Sequence, residues 1–207
     1  MMREISKSEV LRYAGCKQSD SATEKLFSEC VMLSEDKIKP QFCYKKLDFS
    51  IKQKACDFGI FSIFSNDLAQ FLCGAEHVFI FAATLGFDFD RLIAKYSKIS
   101  PAKACMLQAI GVERIEAYAD EICQKFECEF GNSAKRFSAG YGDLPLNTQK
   151  DIFQSLDCTK KLGITLNQSL LMSPTKSVTA FVGLFKNEKQ SAHKCNKCNK
   201  IDCAFRR

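Results

Sequence analysis

At 207 residues, 46% hydrophobic and 26% charged, the chain is long enough for one substantial core and too apolar for a disordered polypeptide. Its longest strongly apolar run, Val78 to Leu85, is far too short to cross a bilayer, and the start MMREISKSEV lacks the apolar core of a secretory signal, so a cytoplasmic location without a membrane partner is expected. The formal net charge of +6 is spread out up to a lysine-bearing tail from Lys186, with no basic stripe interleaved with aromatics, which argues against a nucleic-acid partner.

In chain order, SKSEVLRYAG predicts a short helix, capped by Ser6 or Ser8 and ended by Gly15. SATEKLFSECVML predicts a second, with Leu26, Cys30 and Val31 on one face. PQFCYKKLDFSI alternates and is aromatic-rich, which predicts a strand, and FGIFSIF a further one. SNDLAQFLCG reads as a helix started by Ser65 or Asn66 and stopped by Gly74, and HVFIFAATLG as a buried central strand closed by Gly86. A helix is expected over Asp88 to Lys98. Ser100 and Pro101 then open the clearest helix, running to about Glu129 with Ile115, Tyr118, Ile122 and Phe126 on its apolar face. After a glycine-rich loop, NTQKDIFQSLDC predicts a helix capped by Asn147 or Thr148, and SVTAFVGLF a strand. Mixed elements without a βαβ rhythm predict an α+β fold with a mixed or antiparallel twisted sheet and flanking helices. No G-x-G-x-x-G or Walker-type loop follows a strand.

Nine of the twelve cysteines are scattered (Cys16, Cys30, Cys43, Cys56, Cys73, Cys105, Cys123, Cys128 and Cys158) and read as small reduced core residues. Cys195, Cys198 and Cys203 are crowded, with His193 close by. C-x-x-C lets two thiolates share one metal, so the set suits a Cys3His zinc site or an iron–sulfur cluster with an outside ligand, or else forms a reduced tail.

The stretch RFSAGYGDLP, Arg136 to Pro145, has no hydrophobic period of its own. Arg136 offers a fork suited to a carboxylate or phosphate, Ser138 a hydroxyl, Gly140 and Gly142 close backbone approach, and Tyr141 a flat ring. Such a loop can cradle a small molecule, or it can be an ordinary helix-to-helix connection with a solvated arginine. Glu116, among Val112, Ala119 and Cys123, is either a sheltered carboxylate for a cation or an exposed helical glutamate.

RFSAGYGDLPLNTQ resembles the signature loop of the activation domain of cobalamin-dependent methionine synthase, which runs R-x-x-x-G-Y with a proline a few residues on. LGITLNQSLLMSPTKSVTAFVGL and AIGVERIEAYADEI are similar to the segments that follow and precede that loop, so the likeness covers about residues 75 to 185. Gly142 departs from the pattern, since proline is usual there. The resemblance implies a C-shaped α+β platform at residues 75–185, an extension with N-terminal helices packed on it at 1–74, and a Cys-rich tail at 186–207. It implies S-adenosylmethionine binding by Glu116, Arg136, Ser138, Gly140 and Tyr141, with no catalytic side chain required. It further implies a stand-alone protein for reductive methylation of cob(II)alamin. The cobalamin would be carried by a methionine synthase lacking its own activation domain, and the electron would come from a flavodoxin-type donor. Two alternatives are a reactivator for another corrinoid methyltransferase, and a metal or thiol regulatory protein acting through Cys195, Cys198 and Cys203.

Overall fold

The computed structural model describes residues 3–16, 20–131 and 133–186. Ser6 precedes α1 (Lys7–Tyr13), and Gly15, at φ +73°, lies just beyond its end. Asp20 caps α2 (Ser21–Ser34) by accepting from the Thr23 N–H at 2.8 Å. The alternating stretch expected as one strand divides: Gln41–Leu47 forms β1, and its last two residues enter a separate strand. Three short strands follow, β2 (Ser50–Lys52), β3 (Ala55–Asp57) and β4 (Ser62–Phe64), paired as an antiparallel meander. Only the last part of FGIFSIF is extended, because Phe58 and Phe61 close a turn through the Phe58 N–H and the Phe61 carbonyl at 3.0 Å.

Ser65 then starts α3 (Asn66–Leu72), its hydroxyl accepting from the Leu68 N–H at 3.0 Å. Next come β5 (His77–Thr84), α4 (Phe87–Ile99) and α5 (Pro101–Phe130). With 30 residues, α5 is about 45 Å long. Pro101 fits its first turn, and Gly131, at φ +68°, terminates it. The remainder comprises β6 (Ser133–Phe137), α6 (Thr148–Leu156), α7 (Cys158–Leu162), the small pair β7 (Thr165–Leu166) and β8 (Met172–Ser173), and β9 (Ser177–Phe185). The helix expected through Cys158 breaks at Asp157, which takes φ +55°.

The main sheet has the order β1-β5-β9-β6 with every pairing antiparallel, so the fold is α+β with an antiparallel sheet. Helices cover both of its faces, which is why β5 and β9 read as unbroken apolar runs. On one face Phe79, Phe81, Ala180 and Val182 pack with Phe89 of α4 and Leu107, Ile110 and Phe126 of α5. Val10 of α1 and Cys30 of α2 join the same core. On the other face Val78, Ile80 and Phe181 pack with Leu68 and Leu72 of α3, Ile152 and Leu156 of α6, and Ile63 of β4. Each fully buried phenylalanine contributes about 1.5–3 kcal/mol relative to exposure.

Midway along α5 the helix accepts two close approaches. At Gly111 a Cβ would stand 2.6 Å from a ring carbon of Phe89 and 2.7 Å from Cε of Lys176, so only glycine lets α4 and the Lys176 side chain come this near. Two residues on, buried Glu113 and Arg114 pair with each other. Arg114 also donates to the carbonyls of Arg3 at 2.5 Å and Glu4 at 2.9 Å, while Glu113 accepts from the Ser6 N–H at 3.2 Å. A buried ion pair with its remaining valences filled in this way holds the N-terminal segment onto α5. Among the described residues no helix is long and apolar enough to cross a membrane.

Candidate functional site

Arg136 and Phe137 are the last two residues of β6, opposite Val182 and Phe181 of β9. The expectation of a loop beginning at Arg136 is therefore corrected. The stretch lacks a hydrophobic period because β6 is a short edge strand, but its final residues still alternate between the faces of the sheet. Arg136 turns to the α5 side. Its Nη2 donates to Glu116 Oε2 at 2.6 Å and its Nη1 to Asp120 Oδ1 at 2.6 Å. Glu116 and Asp120 are one helical turn apart, so one guanidinium fork clasps both. Each carboxylate keeps 38% of its side chain exposed, against 23% for Arg136. Exposed Arg3 approaches the second oxygen of Asp120 at 3.9 Å.

Burial opposes the charge on Arg136, yet Asp120 and Glu116 outweigh it, and the guanidinium is held above its already high pKa. One turn beyond Asp120, burial pushes the Cys123 thiol up to about 11 although Arg136 pulls the other way. Neither group is therefore a proton donor or a nucleophile at neutral pH.

Beyond Phe137 the chain makes a tight turn. The Tyr141 N–H donates to the Ser138 carbonyl at 3.1 Å, the Gly140 N–H to the Leu144 carbonyl at 2.9 Å, and the Leu144 N–H to the Tyr141 carbonyl at 3.0 Å. Gly140 sits at φ +86° and Gly142 at φ +55°, conformations that side chains disfavour. Tyr141 is 57% exposed, and its ring meets Phe137 edge-on with centroids 6.0 Å apart.

The turn is fastened to α3. Asp143 Oδ1 accepts from the Ser65 hydroxyl at 2.5 Å and the Asp67 N–H at 3.1 Å, and Oδ2 accepts from the Asn66 N–H at 2.8 Å. In return Asp67 Oδ2 accepts from the Asp143 N–H at 3.0 Å. The Ser65 hydroxyl first, then these amides, hold the Asp143 carboxyl below its ordinary pKa. This clasp also accounts for glycine at position 142. A Cβ there would lie 1.9 Å from Asp67 Oδ2, and proline cannot take a positive φ.

The five residues picked from sequence thus fall into two groups along one strand end. Glu116 and Arg136 meet on the α5 face. Ser138, Gly140 and Tyr141 lie in the turn, whose aromatic ring leans on Phe137 from the opposite face. Sequence reasoning passed over Asp120, although its position four residues after Glu116 placed it on the same side of α5. It also passed over Asp143, whose role depends on residues almost 80 positions away and leaves no local signal. Among the described residues no group of three His, Cys, Asp or Glu could hold a metal ion. His193, Cys195, Cys198 and Cys203 lie outside the described residues.

Chemically, a carboxylate has about four lone-pair sites and a guanidinium five N–H donors, so the Arg136 clasp retains capacity for a further ammonium and a further carboxylate. An exposed aromatic ring and bare glycine backbone stand at the end of the same strand. The combination suits a zwitterionic molecule with a flat ring.

A family model described as the activation domain of vitamin B12-dependent methionine synthase matches residues 65–204. The match starts at Ser65, the cap of α3, and includes α5, Arg136 and the turn. Among solved structures, the chain is similar to the MetH reactivation domain in its crystal structure bound to AdoHcy. The TM-score is 0.64 and the identity 16%, over 83% of this chain and 69% of that one. At that identity the likeness is one of fold. Comparison with curated protein sequences finds no match.

Proposed function

The chain belongs to the activation-domain family of vitamin B12-dependent methionine synthase, and on that premise we propose that it binds S-adenosylmethionine and presents the methyl group to a cobalamin carried by a partner protein. The observation that carries this reading is the Arg136 clasp at the end of β6, running directly into the Gly140–Tyr141 turn within the matched region. The donor set fits the ligand's chemistry. Arg136 has N–H groups to spare for its carboxylate. Glu116 and Asp120 favour its ammonium and sulfonium charges, and the exposed face of Tyr141 suits adenine. Ser138 and the Gly140 backbone line the turn. Residues 75–185 carry the binding side chains, but the core they belong to also takes in β1, an edge strand of the same sheet, and α3, which fastens the turn; only the helices before β1 form an extension packed on it.

S-adenosylmethionine supplies an electrophilic methyl group, and one-electron reduction of cob(II)alamin supplies the cobalt nucleophile that receives it. The protein's contribution is to hold and aim the donor, so no general acid or covalent nucleophile is assigned. The partner is the cobalamin module of a methionine synthase without its own activation domain, and the electron comes from a flavodoxin-type protein. Docking need be only transient, because the partner's cobalamin must return to its own catalytic cycle.

Two measurements test this. Calorimetry should show S-adenosylmethionine and S-adenosylhomocysteine binding to the purified chain. Inactive cob(II)alamin synthase, mixed with this protein, S-adenosylmethionine and a one-electron donor, should form methylcobalamin by absorbance. Equal formation without the protein, or with it but without S-adenosylmethionine, removes the reactivation role. Formation with other corrinoid proteins but not with methionine synthase redirects it to another methyltransferase.

A further inference from the structure

Sequence reasoning took the nine scattered cysteines as core residues, but only Cys30, Cys56, Cys123 and Cys158 are buried, while Cys73, Cys105 and Cys128 are exposed. Two of the nine meet. Cys43 is half-buried in β1, an edge strand, opposite Ala82 on the face of the sheet that α6 and α7 cover. Cys158, the first residue of α7, is fully buried against that face. The left-handed Asp157 turns the chain so that α7 packs on β1, and the Cys158 thiol hydrogen-bonds the Cys43 sulfur. Both are free thiols.

We propose that Cys43 and Cys158 form a thiol-oxidation site at which a hydroperoxide oxidises Cys43 and Cys158 then closes a disulfide. The Cys43 thiolate attacks the terminal peroxide oxygen and the O–O bond breaks. Cys43 becomes a sulfenic acid, and the peroxide leaves as an alcohol, or as water from hydrogen peroxide, after taking a proton. The Cys158 sulfur then displaces the sulfenic oxygen. The S–S bond forms, the Cys158 proton leaves with that oxygen as water, and the two sulfurs have together lost two electrons.

The surroundings sort the two roles. The hydrogen bond from Cys158 outweighs burial and, with the charge of Lys161, holds the Cys43 thiol below its ordinary pKa. Cys158 is pushed up by Cys43 and by burial, so it keeps its proton until the second step. Cys43 therefore holds more thiolate at neutral pH than an ordinary cysteine. Burial instead pushes Cys30 and Cys123 up to about 11 and raises Cys56. Cys43 is half-buried and Cys158 fully buried, so a small oxidant reaches Cys43 first.

Peptide mapping tests the proposal on the full chain. Tryptic cleavage gives residues 38–45 and 151–160, each with a single cysteine. The reduced protein is treated with stoichiometric hydrogen peroxide at pH 7, blocked with N-ethylmaleimide and digested without reductant. The two peptides should appear joined, two hydrogens lighter than their sum. Before oxidation, Cys43 should alkylate faster in the folded protein than Cys158, which is fully buried. Cys158→Ser should leave a sulfenic acid at Cys43 that dimedone traps. If Cys43 and Cys158 stay alkylable while other cysteines oxidise, or if Cys43 pairs chiefly elsewhere, the proposal is overturned by the wild-type protein alone.

Discussion

Replacing Gly142 by alanine isolates the contact that fastens the Tyr141 turn to α3. Two costs follow from the structure. Alanine at φ +55° costs about 1–2 kcal/mol. Its Cβ would also arrive 1.9 Å from Asp67 Oδ2, and forcing that side chain off its rotamer costs about 0.5–1.5 kcal/mol. The expected loss is therefore about 1.5–3.5 kcal/mol, before counting the hydrogen bond that Asp67 accepts from the Asp143 N–H. Urea unfolding followed by circular dichroism reads this as a lower midpoint at unchanged slope. The double variant Gly142→Ala, Asp67→Ala removes the clash while keeping the unfavourable φ. Its loss should fall short of the two single losses added together by about 1 kcal/mol. A single variant as stable as the wild type, or strict additivity in the double, would refute the steric account of this glycine.

Arg136→Ala should weaken S-adenosylhomocysteine binding in calorimetry by about 1.5–3 kcal/mol, the range of charge-assisted hydrogen bonds; unchanged affinity removes Arg136 from the binding set. Gly111→Ala should destabilise the fold by about 1–3 kcal/mol in urea unfolding despite the better helix propensity of alanine, because Phe89 and Lys176 occupy the space; a stabilised variant shows that they yield easily. The folded pKa of Asp143 is depressed, so its contribution is present above about pH 4 and is lost as pH falls through the lower folded value. The stability gap between wild type and Asp143→Asn should accordingly narrow below pH 4 in urea titrations, and a gap independent of pH assigns the effect to packing.

Much of the fold was legible because its strongest elements carry local signals. Ser100 and Pro101 mark the start of α5, whose expected end near Glu129 falls one residue short of Phe130, and the β-branched, aromatic run from Ser177 to Phe185 is β9 to the residue. β2 was merged with β1 into one expected strand, and β3 went unread, because three residues are too few to establish a period of their own. The break at Asp157 was missed because nothing before it marks a left-handed aspartate. At the site, Arg136, Glu116 and Tyr141 stood out by residue type and motif. What they touch did not, since the partners of Arg136 lie on α5 and those of Asp143 at the head of α3. Long-range pairings of this kind are set by topology, which a local pattern does not encode.

The order of strands in the main sheet also dictates when the protein can exist as a folded object. Each residue of β5 is joined across the middle of the sheet to a β9 partner roughly a hundred positions later in the chain. β1 and β5 can pair while synthesis is under way, but the other edge of β5, a row of phenylalanines and aliphatics, stays open until Phe185 clears the ribosome. A nascent chain stopped anywhere before β9 is thus a sticky half-sheet. Slow folding, and refolding yields that fall with protein concentration, are the kinetic costs of placing the first and last long apolar strands side by side.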